Sequence, residues 1–341
     1  MPVALVTSPN YLKHDFPDHP ENANRLRVIE GALTSSGIRE RLLTLAPDPA
    51  TRQQVTAVHI PEYVDALQRV MAQAPGYIDT APTYIVPESF ETALLAAGGA
   101  LRAVEAVMNG EAKAAFALVR PPGHHAVMDR ALGFCLFNNV AIAARHAQRL
   151  GCERVMIVDF DVHHGNGTQD MFYHDPSVLF ISTHQAGLYP GTGDADEVGE
   201  GSGEGTNLNV PLPAGAGDLA FERIAAEIIE PAAERFAPDL LLVSAGFDAH
   251  WCDPLAGLQL SHTGYSHLMQ TLTRIAQRQC GGKLALTLEG GYNPGALADG
   301  VLTIFRVLLG EAEWPDPIGP APHPEPDVRP LLNRVKAIHA L

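Results

Sequence analysis

Six short, continuously apolar runs set the first constraint on this chain: Val3–Thr7, Ala114–Val119, Arg154–Phe160, Ser177–Thr183, Asp239–Gly246 and Lys283–Gly290. A strand with one wet face alternates apolar and polar residues. A run without that alternation is buried on both faces, as in a parallel sheet. Between the runs lie amphipathic stretches at Asn22–Ser35, Pro61–Ala72, Glu88–Asn109, Asn138–Leu150, Leu219–Phe236, Thr263–Arg278 and Pro294–Leu309. This alternation predicts an α/β fold, a doubly wound and predominantly parallel central sheet flanked by helices. The 341 residues, 46% hydrophobic, suffice for one large core, so a single domain over 1–341 is expected. Gly187–Gly217 is rich in glycine and acid but lacks the Lys-Ser/Thr of a phosphate loop, and reads as a long surface loop. A Pro-rich C-terminal arm is expected from about residue 313.

Composition narrows the function classes. A net charge of −16 argues against direct nucleic-acid binding, which needs a basic face, and is compatible with cationic partners. Solubility alone would also account for it. Cys135, Cys152, Cys252 and Cys280 form no CxxC pair, which argues against a disulfide framework or a thiolate metal site and fits the cytoplasm. "MPVALVTSPN" does not read as a signal peptide, and no apolar run is long enough to span a membrane.

Ligands of open parallel sheets bind beyond the carboxyl ends of the strands. Four of the runs lead there into polar clusters: His124 and His125; "DVHHGNG" after Asp159; Asp248; and Tyr292. Asp159, Asp161 and His163 share one side if the backbone stays extended. A carboxylate and an imidazole so spaced suit a divalent metal, with Asp248 the best-placed third ligand and one position left open. A capped or salt-bridged strand end is the plain alternative. The tandem histidines follow a Pro-Pro-Gly turn and suit proton transfer. Asp159 would orient one of them, and the Asn166 amide the other. Tyr292, after two glycines, would donate a hydrogen bond to a developing oxyanion.

"RPPGHHA", "GFCLFNN", "VDFDVHHGNGTQ", "YPGTG", "AGFDAH" and "LEGGYN", in this order, resemble the zinc-dependent histone deacetylase family, with a class II flavour shared by bacterial deacetylase-like and acetylpolyamine amidohydrolases. The resemblance runs from about His19 to about Leu309. It implies an arginase/deacetylase-like fold, with Asp161, His163 and Asp248 holding zinc, or ferrous iron in the cell. It implies His125 as general base and then acid, His124 as an electrostatic partner held by Asp159, and Tyr292 polarising the acyl carbonyl. Asn166 stands where many relatives have an acid. Potassium is implied behind the metal, held by backbone carbonyls, Asp159 and Ser182. Phe134, Gly133 and Tyr189 match channel walls, Gly290 lies in the motif beside Tyr292, Asp79 matches a rim acid, and Arg25 would line an inner pocket.

The implied reaction is metal-assisted hydrolysis of an acylated amine. Polyamine-selective eukaryotic relatives carry an acid at the place of Leu255, which would attract a second ammonium. Leu255 cannot do so, and the reading leans to acetyl-lysine in proteins or peptides. Acetylated polyamines or another small acylated amine remain the alternative, as does a catalytically dead acyl-lysine binder. Acyl-chain preference and oligomeric state are left open.

Overall fold

The computed structural model describes residues 1–80, 82–311 and 314–341. Among the described residues ten strands form: β1 Val3–Val6, β2 Leu43–Leu45, β3 Gly76–Tyr77, β4 Tyr84–Ile85, β5 Ala114–Ala117, β6 Val155–Asp159, β7 Val178–Gln185, β8 Asn207–Leu212, β9 Leu240–Ala245 and β10 Leu284–Leu288. Eight of them make one sheet in the order β2-β1-β5-β10-β9-β6-β7-β8, and every pairing in it is parallel. The four-residue β1 and β5 and the longer β6, β9 and β10 are buried at every position, as unalternating sequence requires when helices cover both faces. β3 and β4 form a separate antiparallel pair. Among the described residues no helix is long and apolar enough to cross a membrane.

Register sets the level of the chemistry. Asp159 lies opposite Ser182 on one side and Ser244 on the other, so β6, β7 and β9 present polar residues at one height. The helix starts then fix the loops that follow. Asn138 caps helix Asn139–Arg149 by accepting the Ala141 N–H at 3.0 Å. Asn293 accepts from Gly295 and Ala296 at the start of Pro294–Leu309, one residue beyond Tyr292.

Three expectations change. Gly187–Gly217 is not loop throughout, because β8 lies inside it and pairs with β7 along Phe180–Gln185. Its sequence, NLNVPL, places asparagines where a strand would show apolar residues, and these serve a buried polar network. The helix expected over Leu219–Phe236 contains a π-helical stretch at Ala225–Ile229. Pro231 has no N–H and its ring clashes with the carbonyl four residues earlier, so the helix widens before it. The onset of the Pro-rich arm at about 313 lies outside the described residues, but the chain beyond it ends in helix Arg329–His339, which packs on β8 and covers that edge.

Candidate active site and metal centre

The four polar clusters meet because β5, β6, β9 and β10 are adjacent and parallel. β6 ends at Asp159, and the chain turns there rather than staying extended. Carboxylates hold the turn: the Asp161 N–H donates to Asp159 Oδ1 (3.1 Å), the Val162 N–H to Asp248 Oδ1 (3.0 Å) and the His163 N–H to Asp161 Oδ1 (3.0 Å). The result gathers Asp161, His163 and Asp248, whose ligand atoms all lie within 4.8 Å of one another. His163 Nδ1 is 3.2 Å from Asp161 Oδ1 and 3.3 Å from Asp248 Oδ2.

These residues fit a divalent cation. Asp248 Oδ2 is buried with no hydrogen bond made to it. Burial disfavours a protonated His163, but Asp161 and Asp248 raise it to about 10, so the pocket draws positive charge. A cation would take the place of that proton. The floor is bare backbone: a Cβ on Gly290 would lie 2.1 Å from Asp248 Oδ2, and one on Gly246 would lie 2.1 Å from Asp161 Oδ2. The Gly290 N–H donates to Asp161 Oδ2 at 2.8 Å. Two carboxylates and one imidazole with an open fourth direction are a donor set for zinc or ferrous iron.

The tandem histidines divide as their partners dictate. His124 Nδ1 lies 3.0 Å from Asp159 Oδ2, and its Nε2 lies 3.8 Å from Asp161 Oδ1. Burial opposes its charge, yet Asp159 and Asp161 push it up to about 10. His125 Nδ1 lies 2.8 Å from Asn166 Oδ1, while Asn166 Nδ2 faces the His125 carbonyl at 3.4 Å. The amide oxygen thus accepts a hydrogen bond from Nδ1–H, which keeps the proton on Nδ1 and leaves Nε2 as the basic atom. Burial, then His124 and His163, hold His125 well below the usual imidazole range.

A cavity of about 210 Å³ opens over this cluster, lined by Pro82, His125, Gly133, Phe134, His163, Tyr189, Leu255 and Tyr292. Gly133 and Phe134 both take positive φ, 54° and 71°. Any Cβ at 133 would strike His125 at 2.4 Å. Phe134 tolerates the left-handed region because its N–H donates to Thr83 Oγ1 at 2.9 Å. Thr83 is in turn gripped by Asp79, whose carboxylate accepts from its N–H (2.6 Å) and hydroxyl (2.7 Å). Asp79 thus anchors the Phe134 backbone through Thr83; it is not among the cavity-lining residues, but beside the larger effect of burial its charge helps raise the pKa of the Tyr189 hydroxyl on the cavity wall. Arg25 stands behind Tyr292: its Cζ is 5.2 Å from the ring centroid, and it donates to the carbonyls of Gly291 (2.8 Å) and Glu289. Ser182, the register neighbour of Asp159 on β7, bonds His184 Nδ1 at 2.9 Å. His164, between Thr192 and Gln169, ties down the segment that carries Tyr189.

Three buried acids escaped the sequence reading. Glu289 Oε2 accepts the N–H groups of Gly123 (2.7 Å) and His124 (3.2 Å), bracing the histidine loop. Asp253 Oδ2 accepts the Tyr292 N–H at 2.7 Å. Glu21 is chelated by Arg120 and lies 3.2 Å from Arg25 Nη1. Only the position of Glu289 and Asp253 inside the motifs "LEGGYN" and "FDAHWCDP" could have flagged them. Glu21 and Arg120 are 99 residues apart, and local patterning does not link them.

Residues 19–308 match the family described as the histone deacetylase domain, and the chain belongs to that family of hydrolases. It is 44% identical over 351 residues to the protein named histone deacetylase 14, chloroplastic, of Arabidopsis thaliana, covering 97% of this chain and 83% of the relative. A protein named probable deacetylase from Archaeoglobus fulgidus is 45% identical over 314 residues, covering 91% and 87%. A crystal structure of the HD domain of HDA15 superposes with a TM-score of 0.89 at 38% identity, covering 98% of this chain and 95% of that one.

Proposed function

We propose that this chain is a zinc-dependent deacetylase that removes acetyl groups from the ε-amine of lysine in proteins or peptides. One observation carries the reading: the carboxylate–imidazole cluster of Asp161, His163 and Asp248 opens directly into the narrow cavity that His125 and Tyr292 share. Asp161, His163 and Asp248 would hold the ion. When bound, it supplies Lewis acidity toward the amide carbonyl and makes a water easier to deprotonate. His125 Nε2 takes the water proton and later returns one to the departing amine. His124, charged and held by Asp159, favours negative charge accumulating beside it. Tyr292 donates its hydroxyl hydrogen bond to the oxyanion as it forms. Phe134 and Tyr189 enclose a methylene chain, and Leu255 at the mouth offers no charge to a second ammonium.

The test compares acetate release from an acetyl-lysine peptide and from N-acetylputrescine by the zinc-loaded protein, with Tyr292→Phe as control. Preference for the peptide, and a turnover about two orders of magnitude lower in Tyr292→Phe with zinc retained, is expected on the scale of one lost oxyanion donor. Preference for the polyamine would move the enzyme to the small-amine branch. Unchanged turnover in Tyr292→Phe would make the tyrosine structural.

A further inference from the structure

We propose that Asp253 is a positioning residue that fixes the oxyanion-donating Tyr292 and the mouth residue Leu255 with one carboxylate. The inference rests on the role given to Tyr292 above. Asp253 is 6% exposed. Its Oδ2 accepts the N–H groups of Tyr292 (2.7 Å) and Asn293 (3.2 Å), and its Oδ1 accepts the Leu255 N–H (2.9 Å). Three backbone donors from two loops thus converge on one side chain, and among the described residues no side-chain cation forms an ion pair with it.

The opposite side of the same segment is held separately. Arg25 takes the carbonyls of Glu289 and Gly291, and Gly290 is bonded to Asp161. Asn293 Nδ2 adds a bond to the Cys252 carbonyl at 3.0 Å. Loss of the Asp253 carboxylate therefore frees the backbone at Tyr292 itself while the metal-facing half stays tied. Hydroxyl placement suffers, and placement to within a fraction of an ångström is what an oxyanion donor requires. Leu255 hangs on the same carboxylate, so Asp253 ties the mouth directly to the oxyanion donor, beside the one Asn293–Cys252 bond between the two loops.

The experiment is a double-mutant cycle on the zinc-loaded full chain, with Asp253→Asn and Tyr292→Phe singly and together. Zinc stoichiometry, thermal midpoint, kcat and KM for an acetyl-lysine peptide are measured. Asp253→Asn should keep zinc and lower kcat by roughly ten- to a hundred-fold, part of the loss of an oxyanion donor. In the Tyr292→Phe background the same substitution should lower kcat by less than about two-fold, because its effect runs through the lost hydroxyl. Equal kcat losses in both backgrounds, or loss of zinc, would overturn the proposal. An unaffected Tyr292→Phe single variant would instead refute the role of the tyrosine, a separate failure. Should Asp253→Asn not fold, Asp253→Ser, which leaves room for a water in the carboxylate position, runs the same cycle. Failure of both to fold would assign Asp253 to stability alone and overturn the inference.

Discussion

His125 Nδ1 meets the amide oxygen of Asn166 at 2.8 Å, whereas the neighbouring histidine meets a carboxylate. An amide fixes the tautomer without adding charge. Burial and two neighbouring histidines then keep His125 unprotonated into the acidic range. Asn166→Asp places a carboxylate on the same atom and raises the His125 pKa. The proposed reaction needs His125 free of its proton, so the acid limb of kcat/KM should move to higher pH. A limb that stays in place would show that another group is the base.

Asp161→Ala and His163→Ala should each lose bound zinc and activity together. In the unsubstituted chain, zinc at a hundred times its Kd should raise stability by about 2.7 kcal/mol, visible as a higher thermal midpoint. Chelation should reverse it. Stoichiometric zinc in either variant would break the ligand assignment.

Stability has its own signature at Glu21. Burial works against its carboxylate, but Arg120 and then Arg25 hold it down to about 2, against 4.5 for an unperturbed glutamate. A depressed folded pKa stabilises the fold above pH about 4.5, and that stabilisation drains away as pH falls toward about 2. Arg120→Met leaves the buried glutamate without its main partner and should cost about 3–5 kcal/mol in chemical denaturation. A loss below about 1 kcal/mol, the scale of an exposed pair, would contradict it.

Leu255→Glu introduces a charge at the mouth, where Leu255 is 38% exposed. The ratio of kcat/KM for N-acetylputrescine over an acetyl-lysine peptide should rise about ten-fold, mostly through KM, as expected for a charge that attracts an ammonium. An unchanged ratio would remove Leu255 from the account of selectivity.

The residues proposed to do the chemistry were legible because they stand at strand ends. Asp159, Asp161, His163, His124, His125, Asp248 and Tyr292 each close or follow an apolar run, and parallel order brings these runs to one edge. The supports were not legible. Asp253 and Glu289 act on backbone N–H groups of other loops, and no periodicity in sequence encodes that. The two outer strands were missed for different reasons: β2 is three residues, LTL, none of them buried, and β8 hides its strand character behind asparagines. Helix Arg329–His339 followed a Pro-rich stretch whose composition masked it.

Gly246 and Gly290 contribute no functional group, yet they shape the metal-facing floor by what they leave out. The volume a methyl would fill is occupied by the Asp161 carboxylate at Gly246 and by the Asp248 carboxylate at Gly290. At these two positions the floor is therefore a mould cut in main chain. The mouth is assembled the other way, from side chains such as Leu255 whose replacement leaves the backbone alone. A chain built so can trade one substrate for another at its rim while its chemistry stays where the strands put it.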